Sequence, residues 1–358
     1  MLLCDLVIRQ GAFRAQPERL GYPRGAGGVP AVRAQLDAAA TMAERIALGS
    51  RFVLGDDVIG AAVQALMSRP RSLRDCTSVL RVPWPAAFVE WREPARVEAR
   101  RALGVAHDNG EDVALRCGFL VEADAQGRAG TVRPCWSHRE AGLAGLEVAS
   151  ISPVFFRFDF GRIDAPPRPG DTVVTPEERR DSDLFQRWSN SPADVAALED
   201  MNRAFAQVGM EDARRLAAAQ AVRAASPVAA AQRMFDRMLA DVAGEAMTFV
   251  AAIILLTSRN GTESVPGEDR SKLNRARARR GETPLQEHVV VHMRLSRSER
   301  HAEGGQASGH GTRASPRLHT VSGHPVCRGG SIFWRRAHTR GLASGRPQAG
   351  TRTVHVSL

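Results

Sequence analysis

Two strand-like runs, Val113-Ala-Leu-Arg-Cys-Gly-Phe-Leu-Val-Glu122 and Gly130-Thr-Val-Arg-Pro-Cys-Trp136, form the clearest β-hairpin pattern in the sequence. Both are rich in apolar residues, and the turn-forming residues 124–128 separate them. Pairing the runs about the centre of this turn would place Cys117 and Cys135 roughly opposite each other. We interpret these cysteines as two buried thiols, with a cross-strand disulfide as the alternative. The pattern predicts antiparallel strands in this part of the chain.

Strand and helix patterns continue around this hairpin. Further strand-like runs lie at residues 78–82, 87–91 and 148–160. Apolar residues at helical spacing cover residues 31–48 and 57–68. Most of the aromatic side chains fall within these runs, and we interpret them as core. Residues 31–165 are therefore predicted to form a mixed domain of helices and antiparallel strands.

The segments on either side of this domain have other compositions. Residues 1–30 are rich in Gly, Pro and Arg, which favours a flexible arm. Residues 183–258 form a helical region, in which Ser226 as N-cap and Pro227 at the first helical position give the cleanest helix start. The chain as a whole is predicted to be α+β, with a mixed N-terminal α/β region, a helical middle and, at residues 259–358, a small basic C-terminal α+β module with an antiparallel sheet.

The positive charge of the chain is concentrated near its C-terminus. Residues 257–358 contain 18 Arg or Lys and 7 Asp or Glu, so this segment accounts for the whole net charge of +10. Eight of the ten histidines also lie there. All basic residues of the protein except Lys272 are arginines, which bind phosphates and base edges through two parallel hydrogen bonds. The composition indicates a polyanionic partner for this module.

Within the module, short elements alternate with turns. Residues 271–280 form a predicted basic helix that Gly281 ends, and residues 296–316 form a predicted mobile loop. Strand patterns follow at residues 318–325 and 331–341, with a last one at 351–358. The residues Arg328-Gly-Gly330 supply the turn between the first two of these strands.

Several classes of protein are excluded by the pattern. His288 and His292 have the H-x-x-x-H spacing of zinc proteases, but the three valines between them favour a strand, which would separate the histidines by about 13 Å. The sequence has no P-loop, dinucleotide fingerprint, nucleophile elbow or zinc-knuckle spacing. We expect no metal and no cofactor.

The longest apolar run and the spacing of the cysteines indicate the cellular compartment of the protein. Met247 to Leu256 is ten residues long, whereas a membrane span needs about 20. The five cysteines are dispersed and form no C-x-x-C pair, which is typical of a reducing compartment. We therefore expect a cytoplasmic protein without membrane contact.

The C-terminal module also carries a resemblance, which spans about residues 257–345. Its motifs are Ser271-Lys-Leu-Asn-Arg-x-Arg-x-x-Arg-Gly281, Pro284-Leu285, His319, Gly323-His324, Gly330, Ile332-Phe333-Trp334 and His338-x-Arg340-Gly341. This combination resembles a family of uncharacterised proteins found in phages and prophage-bearing bacteria. The resemblance implies a biological setting, with a phage or host protein as a further partner, and no particular activity.

Three functions are compatible with these observations. The leading hypothesis is a nucleic-acid-binding accessory protein, in which arginines and a lysine contact phosphates and Trp334 or Phe333 stacks on a base. The predicted contact residues are Lys272, Arg275, Arg277, Arg279, Arg280, Trp334, Arg335, Arg336 and Arg340. The alternatives are a structural or interaction protein of phage assembly and a metal-independent nuclease. The candidate catalytic residues of that nuclease are His319, His324, His338 and Arg340.

Overall fold

A computed structural model of the protein describes residues 1–105, 114–140, 145–166, 183–209, 218, 226–294, 319–336 and 338–340. The described strands are β1 Ser50–Leu54, β2 Ala86–Arg92, β3 Arg116–Ala123, β4 Ala129–Glu140, β5 Leu146–Ile151, β6 Phe155–Asp159, β7 Phe205–Val208, β8 Thr262–Pro266, β9 Val289–Met293, β10 His319–Val321, β11 His324–Arg328, β12 Ser331–Arg335 and β13 His338–Arg340. The described α-helices are α1 Leu3–Ala12, α2 Pro30–Leu48, α3 Asp56–Ser68, α4 Pro70–Val79, α5 Glu93–Ala102, α6 Asp183–Arg187, α7 Pro192–Arg203, α8 Pro227–Thr257 and α9 Ser271–Arg279. The protein is thus α+β.

One mixed sheet dominates the described residues. Its strands follow the order β7-β6-β4-β3-β2-β1-β9-β8, and β5 pairs with β4 beside this path. The strand β1 runs parallel to both of its neighbours, β2 and β9, and the remaining pairs in the sheet are antiparallel. The strands from residues 262–293 therefore complete the sheet that the N-terminal half begins.

Helices cover this sheet on both faces. Along β2 and β3, Trp91 and Phe119 pack into the cluster that contains α3, α4 and α8, whereas Phe88 and Leu120 pack on the side of α1 and α2. Successive side chains of a strand point to opposite faces, and both faces here are buried. This explains why the strand runs read as continuous apolar stretches instead of alternating with polar residues.

The helix α8 lies at the centre of the larger cluster. Its residues from Phe249 to Leu255 are all at most 1% exposed, and the Phe249 ring packs against the rings of Phe119, Phe158, Phe160 and Phe205. A helix that is apolar on every side belongs inside a core, which is where the structure places this half of α8. The start predicted at Pro227 is confirmed.

A buried group of charges joins α5 to α8. Arg96 donates from Nε to Glu93 Oε1 at 2.9 Å and from Nη1 to Glu245 Oε1 at 2.7 Å, and Trp91 donates to the other oxygen of Glu93. Burial raises the pKa of Glu245, and the charge of Arg96 opposes this rise. The guanidinium thus compensates two carboxylates that would otherwise be buried without a partner.

The register of the hairpin differs by one residue from the predicted one. Gly118 lies opposite Cys135 and Cys117 lies opposite Trp136, because the centre of the turn falls half a residue later than expected. A one-residue shift moves a side chain to the other face of the sheet. The two cysteines therefore belong to different clusters, where both are buried free thiols, and the alternative of a disulfide between them is wrong.

The N-terminus is more ordered than a flexible arm. Residues 3–12 form α1, in which Leu3, Leu6 and Val7 are buried against the sheet and α2. Glu90 of β2 fixes its first turn, accepting hydrogen bonds from the backbone N–H groups of Leu3 and Cys4. The arm prediction is wrong for these residues because most of the glycines and all of the prolines of residues 1–30 lie after α1.

Other sequence predictions have mixed outcomes. Residues 78–82 are not a strand, since α4 extends to Val79 and irregular chain follows. The helical region contains the short strand β7 between α7 and α8. The valine run at 289–291 is confirmed as a strand, and it lies inside the main sheet with Val291 fully buried. The predicted mobile loop at 296–316 and the predicted last strand at 351–358 lie outside the described residues.

The remaining strands form two pairs outside the main sheet. β11 and β12 are antiparallel partners joined at Gly329 and Gly330, both with positive φ, and this hairpin packs on α4. β10 pairs with β13. Among the described helices, none combines the length and the apolar character needed to cross a membrane.

Candidate nucleic-acid interface

The helix α9 has well-defined ends. Asp269 accepts hydrogen bonds from the backbone N–H and the hydroxyl of Ser271 at the start of the helix. At its end, Gly281 takes a φ of 64°, and its N–H donates to the carbonyl of Ala278 while that of Glu282 donates to the carbonyl of Arg277. This is the Schellman arrangement, which glycine permits without steric strain. The predicted helix and its glycine stop are confirmed.

One side of α9 is fixed to the rest of the protein. Asn274 donates to the carbonyl of Leu285 at 2.9 Å and accepts from the N–H of the same residue at 2.7 Å. Arg277 donates to the carbonyl of Thr283 at 2.8 Å and lies 3.0 Å from the Glu282 carboxylate. These contacts hold the helix against the segment that leads into β9.

A buried ion pair fixes the start of the same helix to α1. Arg270 Nη1 lies 2.6 Å from Asp5 Oδ2, and the Asp5 side chain is 1% exposed. The other oxygen of Asp5 accepts the N–H of Gln286 at 2.8 Å. Asp5 therefore holds both ends of the segment that contains α9.

The opposite side of α9 carries three free cations. Lys272, Arg275 and Arg279 are exposed, and among the residues that the structure describes they take part in no salt bridge. At 3.6 residues per turn they lie within about 60° of one another, roughly opposite Asn274 and Arg277, and they span about 10 Å along the axis. We call these three residues the basic face of α9.

Two of the predicted contact residues already form ion pairs within the protein. Arg277 belongs to the fixed side of the helix, as described above. Arg280 forms a hydrogen-bonded ion pair with Glu282 at 2.6 Å, and this hydrogen bond holds the pKa of Glu282 below its usual range. Among the described residues, the five basic residues from Lys272 to Arg280 thus divide into three without a salt bridge and two that are paired.

The hairpin β11–β12 assigns different roles to its two aromatic residues. Trp334 is 8% exposed and packs with Ile332 into the main core, next to Gly261. Phe333 points to the other side, is partly exposed, and lies 5.7 Å from the guanidinium of Arg259. The expectation that Trp334 stacks on a base is therefore corrected, because its ring is part of the core. Phe333 is the more exposed of the two aromatic rings.

Basic residues surround Phe333 on this hairpin. Arg335 is exposed and opposes His324 across the strand pair, while Arg328 is exposed at the turn. Arg336 is partly buried. Phe333 and Arg335 alternate with the buried residues Ile332 and Trp334, as the two-residue period of a strand requires.

The candidate catalytic residues are only partly described. His324 donates from Nδ1 to the carbonyl of Ser322 at 2.9 Å, since a carbonyl only accepts, and this leaves Nε2 as the free ring nitrogen. His319 pairs with Arg340 in the backbone register of β10 and β13, and His338 pairs with Val321. The side chains of His319, His338 and Arg340 lie outside the described part of the structure.

The basic face of α9 and the hairpin are at different places. α9 precedes β9 and lies near the amino end of that strand. At its carboxyl end, the N–H of Arg294 donates to the carbonyl of Gly261, which packs against Trp334. The five residues of β9 span about 13 Å. The structure therefore groups the predicted contacts into two separate surfaces.

Sequence reasoning missed the residues that position these surfaces. Asp5 belongs to no motif, and the motif that contains Asn274 does not reveal its contacts, because the partners of both residues lie far along the chain or in a loop without periodicity. The sequence alone could have distinguished Phe333 from Trp334, because neighbouring residues in a strand point to opposite faces, and in a hairpin that packs on a core by one face only one of the two rings is buried.

The chain was compared with family models, curated proteins and solved structures. No protein-family model, no curated protein and no solved structure gives a significant match to it. The resemblance to phage and prophage proteins stays a prediction, and the function of this chain is argued from its own residues.

Proposed function

We propose that this protein binds nucleic acid and that the basic face of α9 contacts the phosphates. The observation that carries the proposal is the division of α9. One side is held by Asn274, Arg277 and Arg270, while the other presents to solvent Lys272, Arg275 and Arg279, which form no salt bridge with any described residue. A fixed helix loses little conformational entropy on binding, so its free cations contribute more fully to affinity. Contacts of this kind are independent of base sequence.

We further propose that Phe333 stacks on an unpaired base. Its ring is partly exposed, and Arg335 and Arg328 lie nearby to contact the backbone of a strand. Stacking on an aromatic ring contributes about 1–3 kcal/mol per base. The combination favours single-stranded regions at the hairpin, whereas the basic face of α9 serves both single strands and duplexes.

Fluorescence anisotropy with the full chain tests this function. At a low, fixed salt concentration, the triple variant Lys272→Ala, Arg275→Ala, Arg279→Ala is expected to bind a labelled oligonucleotide at least about tenfold more weakly than the wild type, because phosphate contacts dominate affinity. Phe333→Ala is expected to weaken binding of single strands and to leave duplex binding unchanged.

The matched control removes the same charge elsewhere. Arg69, Arg101 and Arg157 are exposed and lie outside both surfaces, so their triple alanine variant is expected to bind almost as the wild type does. Equal losses in the two triple variants would show a nonspecific effect of net charge and would overturn the proposal. Absence of binding by the wild type at low salt would overturn it as well.

A further inference from the structure

A cavity of about 620 Å³ lies between the chain that follows α1 and the glycine-rich segment that precedes α2. Pro17 and Leu36, both buried, supply its apolar part. Charged side chains of both signs line the rest: Arg14 and Arg33 are the cations, and Glu18 and Asp37 are the anions. The volume is within the range of sites for small ligands.

The four charged groups of this cavity do not neutralise one another. Within the described residues, neither arginine forms a salt bridge with Glu18, Asp37 or another carboxylate. Their side chains are exposed to solvent and free to take a ligand. Guanidinium groups bind phosphate well, because each offers parallel N–H donors to the phosphate oxygens, and this cavity has two of them. The carboxylates provide acceptors for hydroxyl groups.

The backbone next to these side chains has empty space around it. A Cβ atom at Gly25 or Gly28 would meet no other atom within 4 Å, and both glycines lie at or next to the cavity wall. The helix α2 begins just after them at Pro30, and its first turn has no side-chain cap. The positive end of this helix adds to the potential of Arg14 and Arg33.

We propose that this cavity binds a small phosphorylated sugar, with Arg14 and Arg33 on the phosphate and Glu18 and Asp37 accepting hydrogen bonds from the sugar hydroxyls. The sugar phosphate can be free or part of a mononucleotide, since the recognised groups are the same. Inorganic phosphate binds more weakly, because it brings no sugar hydroxyls to donate hydrogen bonds to Glu18 and Asp37. The segment that carries Glu18 lies near the end of α9, where Arg19 donates to the carbonyl of Gly281, but the residues that test the two sites do not overlap.

Isothermal titration calorimetry of the full chain tests this site. Ribose 5-phosphate is expected to bind, inorganic phosphate to bind more weakly, and ribose and serine to give no binding signal. Arg14→Ala and Arg33→Ala are each expected to weaken ribose 5-phosphate binding by about tenfold or more, as for loss of a charge-assisted hydrogen bond. Asp37→Asn is expected to bring the affinities for ribose 5-phosphate and inorganic phosphate closer together.

The control and a further probe complete the experiment. Arg101→Ala removes an exposed arginine of α5 that is not part of the cavity, and it is expected to bind ribose 5-phosphate as the wild type does. Adenosine monophosphate that binds more tightly than ribose 5-phosphate identifies a nucleotide site, and equal affinities identify a sugar phosphate site. Failure of ribose 5-phosphate to bind, binding of serine instead, or an equal loss in Arg101→Ala would overturn the proposal.

Discussion

At the scale of single residues, Asp5 is expected to have a large effect on stability. Its buried carboxylate is the partner of Arg270 and of the Gln286 N–H. Asp5→Ala leaves the buried Arg270 charge without an anionic partner, and removing one member of a buried pair costs about 3–5 kcal/mol. Urea unfolding of the full chain measures the change.

An exposed ion pair supplies the control for Asp5. Asp56 and Arg92 lie 2.9 Å apart, but both side chains are more than half exposed. Asp56→Ala is therefore expected to lower the free energy of unfolding by less than about 1 kcal/mol. Similar losses for Asp5→Ala and Asp56→Ala would contradict the role of burial.

His288 is expected to make the protein sensitive to acid. Burial lowers the pKa of His288, and the nearby charge of Arg270 lowers it further. The folded protein therefore binds the proton less readily than the unfolded chain, whose histidine has its ordinary pKa of about 6.5. The stability linked to His288 is present above that value and is lost as pH falls through the lower pKa of the folded state.

The variant His288→Asn removes this titration. Unfolding measured at pH 7.5 and again at pH 5.5 is expected to show a smaller loss of stability in the variant than in the wild type. Equal losses in both proteins would refute the assignment of acid sensitivity to this residue.

At the scale of elements, close approach of strands limits the choice of residue. A Cβ atom at Gly118 of β3 would lie 2.6 Å from the carbonyl oxygen of Val89 in β2. Because the obstacle is backbone, Gly118→Ala forces the two strands apart and is expected to cost about 1–3 kcal/mol, as overpacking does. Thermal unfolding measures the resulting decrease in Tm.

A second glycine shows the opposite effect. Gly60 lies within α3, and a Cβ atom there would meet nothing within 4 Å. Gly60→Ala is expected to stabilise the protein by up to about 1 kcal/mol, because alanine favours the helix. A decrease in Tm for Gly60→Ala, or an unchanged Tm for Gly118→Ala, would contradict the packing described here.

The elements that sequence predicted correctly are those with strong local signals. The strands β2, β3 and β4 are long apolar runs, and α8 and α9 have a proline start or a glycine stop. The helix α1 was missed because the Gly- and Pro-rich composition nearby obscured it. The strand β1 was missed because it is only five residues long. The hairpin register depends on the turn at Gly127, whose positive φ of 67° no periodicity reveals.

At the scale of the whole molecule, the sheet joins distant parts of the chain. Pairing of β1 with β9 connects residues 50–54 to residues 289–293. No local pattern specifies such a parallel neighbour, because side-chain packing across the finished sheet selects it. The sequence therefore indicated the composition of the basic module but not that its first two strands belong to the main sheet.

The contribution of the C-terminal strands can be measured by shortening the chain. A protein that ends at Ser258 lacks β8, β9 and the hairpin β11–β12, leaves β1 paired on one side only and exposes core that Val291, Ile332 and Trp334 cover. We expect it to lose cooperative unfolding in urea, whereas the full chain retains it. A cooperative transition with a wild-type m-value would show that the sheet is complete without these strands.

The central proposal for the whole molecule is that the basic face of α9 contacts nucleic-acid phosphates. The salt dependence of binding tests this contact most directly. The slope of log K against log salt for a DNA duplex is negative, and its magnitude decreases by about 0.9 for each lost phosphate contact. The variant lacking Lys272, Arg275 and Arg279 is expected to have a slope whose magnitude is smaller than that of the wild type by about 2.7. A slope equal to that of the wild type would contradict phosphate contact by this helix.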